Sequence, residues 1–567
     1  MSPRRRGVTA RLLALWALPA LLLAGCVSVP FSGGIEAGGP LEAGLGADVD
    51  FLPSGPSDDA SQEEILQGFL AATTASQNNY RIARSYLAEE VAETWNPYAS
   101  TLVRSREGLV EREDDATLTY SVPISASVDS VGRYSESESS TPQTLPEFGF
   151  VQEEGQWRIA ELGDGILISQ QAFPSAFSPH TLYYYDRAFR NLVPDLRWFP
   201  ARAEVPTRIV RALLETPTGW LQEATVSAVP EGTQLAAAPV DVVSGLANVD
   251  LTSEVLGLSD EARQLLRLQL SASLRAVSGV VGVQITVDQN ALDILDFTVG
   301  APEIVPQVDA RPLALTDDGF GFVTASGEVE SLGSLADSVA AREATQLSLG
   351  PSRTIAALLG EGGVWLARTS SAPDVLVDAR PGLIGPSLDG YQFIWSVPAD
   401  GAGGIIAFEL DGTAREVEAT LPDDSRVVTL EVSRDDTRVV LLLEGPNGPR
   451  LVVAAIVRDE ASGVPVRLGE FRDLPIAGET ALDVAWVDEV RVASVTTTVE
   501  EGTLVELHEI GGRTRSLGLP PEARQVVGGN GGVDGIRVLG AGGAIFEPRG
   551  SGWQNTGVRA SFLATQQ

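Results

Sequence analysis

The chain carries few of the groups that perform covalent or proton-transfer chemistry. Its 567 residues include one cysteine, Cys26, and two histidines, His180 and His508. All 40 residues counted as lysine or arginine are arginine. A Walker-type phosphate loop and a pyridoxal Schiff base both need a lysine, so neither can exist here. A single cysteine excludes an internal disulfide and a multi-thiolate metal site. A zinc site would need both histidines to converge from separate regions, and no G-x-S-x-G elbow is present. What remains is carboxylate chemistry and surface recognition. His180 with Asp186 and Glu215 could form an acid–base group, although no nucleophile is placed nearby and a hydrogen-bonded loop histidine is the simpler reading. Glu153 and Glu154 fall at a hairpin tip, where a solvated turn is the default. Asp317-Asp318-Gly319 and Asn530-Gly531-Gly532-Val533-Asp534-Gly535 offer oxygens that suit calcium, yet the 12-residue loop with a terminal glutamate is missing. Connecting turns use the same residue types. Tyr183, Tyr184 and Tyr185, with Trp198 and Trp220, could stack sugars or simply fill a core. The expectation is therefore no catalytic residue, no metal and no cofactor.

Cys26 has a distinctive setting. Arg4, Arg5, Arg6 and Arg11 form a basic head, and residues 12–23 are almost wholly apolar. That run is too short to span a bilayer comfortably, so it reads as a signal sequence. Leu23-Ala24-Gly25-Cys26 resembles the lipobox of bacterial lipoproteins. The resemblance implies cleavage between Gly25 and Cys26, a diacylglyceryl group on the thiol, and acylation (palmitate, for instance) of the new amine. Each buried methylene adds about 0.8 kcal/mol, so several chains hold a protein far more firmly than one. An ordinary secretory signal with a chance cysteine is the alternative.

Charge narrows the partners. The formal charge is −36, and removal of residues 1–25 takes away four arginines and no acid, leaving −40. So acidic a surface repels nucleic acid and anionic head groups. The arginine-only, alanine-rich composition fits a GC-rich, actinobacterial genome.

Residues 26–58 are crowded with Gly, Pro, Ser and Asp and read as a stalk. A first domain, residues 59–173, opens with a capping box, Ser61 and Glu64, ahead of Ile65, Leu66, Phe69 and Leu70 on one helical face. A second helix is expected to carry Ile82, Leu87 and Val91 and to stop at Trp95-Asn96-Pro97. Residues 117–124 alternate as a strand, and Phe148-Gly149-Phe150-Val151 with Trp157-Arg158-Ile159 forms a hairpin. Helices followed by a curved antiparallel sheet resemble the α+β NTF2-like fold.

A second domain, residues 174–304, holds the aromatic strand, a helix opened by Pro206, and a long helix started by Ser259 with Ala262, Leu266, Leu270 and Leu274 at i+4 steps. Residues 281–287 form a closing strand. The order helix-Leu-Leu, P-x-G-T, A-x-V-D-L, long helix, V-x-I-T-V-D resembles the α/β GerMN domain of bacterial envelope and spore-germination proteins. The third part, residues 305–567, consists of short strands between Gly, Pro, Asp and Asn. Sub-patterns recur, with Ser352, Ser387 and Ser433 separated by 35 and 46 residues. A β-rich repeat of roughly 40 residues is the mark of a propeller, here about six blades, with a pair of β-sandwiches as the alternative.

Lipobox cysteine, Val27-Ser28-Val29-Pro30, Gly55-Pro56, the stretch Glu63 to Leu70, a GerMN domain and a propeller together resemble the actinobacterial LpqB lipoprotein family. The resemblance implies a non-enzymatic protein on the outer face of the cell membrane. It further implies two-component signalling in cell division and envelope homeostasis, with the extracytoplasmic domain of an MtrB-type sensor histidine kinase as partner. A lectin-like wall-polymer sensor and a carboxylate-dependent wall hydrolase are the competing readings.

Overall fold

The computed structural model describes residues 53–567, apart from 138–140, 202–203 and positions 371, 402, 423, 501 and 530. Cys26, Gly25, the signal and nearly all of the stalk lie outside the described residues, as does Asn530.

In the first module, helix α1 (Gln62–Ala72) starts where the sequence predicts. The Ser61 side chain accepts the Glu64 N–H, and the Glu64 carboxylate accepts the Ser61 N–H at 2.8 Å. Ile65, Leu66 and Phe69 are buried, and Leu70 is half-buried. The second predicted helix is broken in two, α2 (Gln77–Arg84) and α3 (Glu89–Thr94). Between them Leu87 forms a bridge with Ile159, and Ala88 donates its N–H to the Ile159 carbonyl at 2.8 Å. Pairing with a distant strand thus outcompetes local helix continuation. The helices cover a curled sheet built around the 13-residue strand Thr117–Asp129. Phe69 meets Trp95 edge-on at 5.4 Å in the core between them.

The second module begins with a long hairpin, Phe177–Asp186 paired with Leu192–Pro200. Every residue of Leu192–Pro200 is buried, because neighbouring modules cover what the module's own core does not. Helix α4 (Val205–Leu214) has Pro206 in its first turn, where the missing N–H costs nothing. Helix α5 (Asp260–Leu274) is capped by Ser259, whose oxygen accepts the Ala262 N–H. Asp260 and Glu261 favour its positive end. Leu266, Leu270 and Leu274 are buried against Leu246–Leu251 and Gly282–Val287, which pair in parallel.

Among the described residues the third part is a ring of six blades and not a pair of sandwiches: two blades are fused into one eight-stranded sheet, one sheet has five strands, and three have four. Blade 1 takes Leu313–Thr316, Gly319–Val323 and Val329–Ser331 from its own beginning and its innermost strand, Phe562–Gln566, from the far end of the chain. The other inner strands are Gln346–Leu349, Ser387–Leu388, Arg426–Val432, Ala481–Trp486 and Ala523–Val527.

A repeated bond joins each inner strand to the next. Ser348 Oγ accepts the Leu388 N–H at 3.1 Å, and Ser387 Oγ accepts the Val432 N–H at 3.0 Å. Glu431 accepts from Trp486 at 3.2 Å, Asp483 from Val526 at 2.9 Å, and Gln525 from Leu563 at 2.8 Å. Parallel pairing of Ser348 with Thr565 and Leu349 with Gln566 completes the circle. The structurally equivalent positions are therefore Ser348, Ser387, Glu431, Asp483 and Gln525. Ser352 and Ser433 lie just past their inner strands, so the serine spacing read from the sequence is out of register with the blades.

Leu266 is 1% exposed on the inner face of α5. Leu266→Ala is expected to cost about 2–5 kcal/mol, read as a lower denaturant midpoint for loss of the second module's signal. An unchanged midpoint would place that helix face elsewhere.

Candidate binding surface at the domain seam

The residues singled out for chemistry are not brought together. His180 sits in the middle of a strand opposite Arg197, not in a loop. Burial pushes its imidazole down to about 4, and its Nδ1 has no hydrogen-bond partner. Asp186 lies at the other end of the same strand and accepts the backbone N–H groups of Arg190 and Asn191. Glu215 caps the C-terminus of α4. His508 is fully buried in blade 5 with Ser494 Oγ at 2.8 Å, and burial pushes it down to about 4 as well.

The aromatic strand is core and not a sugar platform. Tyr183, Tyr184 and Tyr185 are at most 1% exposed. Tyr185 donates to the Leu265 carbonyl at 2.7 Å, and Trp198 donates to the Gly511 carbonyl at 3.0 Å. Trp220 is half-buried against the propeller. Asp317 and Asp318 form the turn between two blade 1 strands, where Thr316 Oγ1 accepts the Asp318 N–H. Asp534 lies in a single 3-10 turn and uses its carbonyl to accept from Arg537. Glu153 and Glu154 flank the tip of an exposed hairpin, where Glu153 also accepts the Glu89 N–H at 3.2 Å.

What the structure does assemble is a seam of polar contacts joining the three modules. Arg197 and Asp195 form a buried ion pair at 2.6 Å, and Arg197 also donates to the Val131 carbonyl of the first module at 3.0 Å. Burial opposes ionisation of Asp195, but the Arg197 charge and hydrogen bonds from Arg197 and Thr218 still hold its carboxyl below the usual range. On the propeller side, the Tyr183 hydroxyl donates to both oxygens of Glu489 at 2.9 and 3.0 Å and accepts from Arg275 at 2.6 Å. Arg467 binds Glu223 at 3.0 Å, and Asn191 donates to the Asp435 carbonyl at 3.3 Å. The first module also reaches the propeller, through Arg472 to the Tyr134 carbonyl at 3.0 Å and the Thr514 N–H to Glu136 at 3.3 Å.

The propeller's axis is the other concentration of charge. Glu431 and Asp483 line its central channel beside Thr429 and Gln525. Burial, with the Asp483 charge adding to it, pushes Glu431 up to about 8, and burial pushes Asp483 up to about 7. Both are committed to the ring. Asp483 accepts from Thr429 Oγ1 at 2.9 Å with one oxygen and from Val526 with the other. The free space there is about 40 Å³, enough for water and too small for a sugar ring. At one end Arg434 donates to the Gly528 carbonyl at 2.9 Å, beside Leu192, Pro194 and residues 304–306. This carboxylate pair serves the architecture, with no room for a glycan between its members.

Three family models align with the modules in order. "Lipoprotein LpqB, N-terminal domain" matches residues 55–174, "Sporulation and spore germination" residues 181–293, and "Lipoprotein LpqB beta-propeller domain" residues 326–559. The chain belongs to the LpqB lipoprotein family. The Lipoprotein LpqB of Cutibacterium acnes is 27% identical across 89% of this chain and 90% of its own length. That of Thermobifida fusca is 26% identical across 82% and 84%, and that of Bifidobacterium longum 29% across 53% and 57%. No helix among the described residues is long and apolar enough to cross a membrane.

The inner-ring residues were not legible as a site, because Ser, Ser, Glu, Asp and Gln share only the ability to accept a hydrogen bond. Glu431 makes their energetics measurable. Its pKa is higher folded than unfolded, so the folded state keeps a proton that the unfolded chain releases as pH rises from about 4.5 to about 8. Stability therefore falls across that window and levels off above it. Glu431→Gln keeps an acceptor for Trp486 and removes this cost. It is expected to raise stability by roughly 3 kcal/mol at pH 7 and by little at pH 4, measured by denaturant melts across that range. An equal gain at both values would refute the assignment.

Proposed function

We propose that this protein is a lipid-anchored, extracytoplasmic accessory protein without enzymatic activity. In this reading it modulates an MtrB-type sensor histidine kinase by contacting the kinase's extracytoplasmic domain. Membership of the LpqB family, with all three modules in order, is the observation that carries the reading. Two physical features support it. The titratable candidates are scattered or built into the fold, and the mature charge of −40, reached when four arginines leave with the signal, disfavours adsorption to anionic lipid. An acyl group on Cys26 answers the need for an anchor. Cys26→Ala is expected to abolish incorporation of labelled fatty acid into the chain; label retained on that variant would refute the anchor.

The contact surface belongs to the first two modules, which follow the anchor directly in the chain. The seam makes a cut between residues 304 and 305 a poor test, since it would strip Tyr183 of Glu489 and Trp198 of the Gly511 carbonyl. The intact mature chain is the right reagent. Val243 and Val281 are 57% and 85% exposed on the second module, and Val499 is 79% exposed on the propeller. In calorimetric titration against the purified sensor domain, Val243→Glu and Val281→Glu together should weaken binding at least about tenfold, or 1.4 kcal/mol, and Val499→Glu should not. Loss confined to Val499→Glu would move the surface to the propeller. Absence of binding by the wild type would remove the kinase as partner.

A further inference from the structure

A cleft of about 290 Å³ lies where the turn of the second module's long hairpin meets blades 3 and 4. Tyr391 forms part of its wall, and the Tyr391 hydroxyl donates to Asp186 at 2.9 Å. Two guanidinium groups lie over the Tyr391 ring, that of Arg190 at 4.2 Å and that of Arg458 at 4.4 Å from its centre. Arg458 is fully engaged. It donates to Asp389 at 2.7 Å and to the Gly463 carbonyl at 3.1 Å. Arg190 is exposed, and among the described residues its guanidinium makes no ion pair or hydrogen bond, so its planar set of five donors is held over an aromatic face with nothing to bind.

The carboxylates around it are all committed elsewhere. Asp186 accepts from two backbone N–H groups and from Tyr391. Glu460 is paired with Arg187 at 2.6 Å, and Asp459 accepts both the N–H and the hydroxyl of Ser462. Asp389 accepts from Phe393, Trp395 and Arg458. Asp436 accepts the Gly390 N–H, and burial, with the Asp389 charge beside it, pushes its carboxyl well above the usual range. An uncommitted arginine in a cleft between modules, on a chain of formal charge −36, is suited to an anion brought by a ligand. The guanidinium fork matches two oxygens of a phosphoryl group.

We infer that this cleft binds a phosphoryl group, seated on the Arg190 guanidinium beside Tyr391. The site stands independently of the kinase reading and adds a ligand to the seam between the second module and the propeller. The test is calorimetric titration of the intact mature chain with inorganic phosphate and, separately, with glycerol 3-phosphate. Both should bind; tighter binding of the ester points to an organic phosphomonoester, and equal or weaker binding of it points to free phosphate. Arg190→Gln is expected to weaken binding at least about tenfold with an unchanged melting curve. Arg190→Lys, which keeps the charge over Tyr391, should recover part of that loss. Any of three results overturns the inference: no binding by wild type at roughly 10 mM phosphate, equal affinity of wild type and Arg190→Gln, or an Arg190→Lys variant as weak as Arg190→Gln.

Discussion

The propeller is held in a circle at five of its six junctions by one kind of bond, a side-chain oxygen on an inner strand accepting the backbone N–H of the next, and at the sixth by parallel backbone pairing. A sheet edge is a row of unpaired groups, and six separate blades would present such rows to one another. Ser348, Ser387, Glu431, Asp483 and Gln525 each satisfy one of these donors across a gap between blades. Gln525 does it twice, since its amide also donates to the Leu563 carbonyl at 2.8 Å. The requirement for short acceptors pointing at the axis leaves the channel polar and narrow. It also places two carboxylates where water is scarce, which explains why Glu431 and Asp483 are harder to ionise than exposed acids.

The second module turns this ring into part of a larger body. Its hairpin strand Leu192–Pro200 is buried along its whole length, between its own module and its neighbours. The contacts along it are polar and specific: Arg197 with Asp195 and the first module, Trp198 with Gly511, Asn191 with Asp435. Buried ion pairs contribute little net stability but penalise any arrangement that leaves one partner alone. The bonds from Arg197 to Val131 and from Trp198 to Gly511, which do cross between modules, select one relative placement of the modules over others.

Local signals were readable wherever the chain decides its own conformation. The Ser61–Glu64 box, the Ser259 cap and the Leu266-Leu270-Leu274 face all rest on spacings within a turn or two. The break after Arg84 was not readable, because it depends on Ile159, more than seventy residues away in sequence. The reading of His180 as a loop histidine gives way to a strand that runs straight through Pro179 and His180. The seam and the cleft were invisible for the same reason. Tyr391 and Arg190 are separated by two hundred residues, and only the closed ring brings one over the other.

The origin of blade 1 has a consequence for biogenesis. Its outer strands are made early, within Leu313–Ser331, yet its inner strand is Phe562–Gln566. The ring therefore cannot close until Phe562–Gln566 has been made. Long-range pairing of this kind is slow, and strands awaiting a partner are prone to associate with other chains. The sheets of the first two modules, by contrast, are built from strands within residues 100–291. The propeller must remain open until that last strand arrives, so closure of blade 1 comes after every other blade has been made.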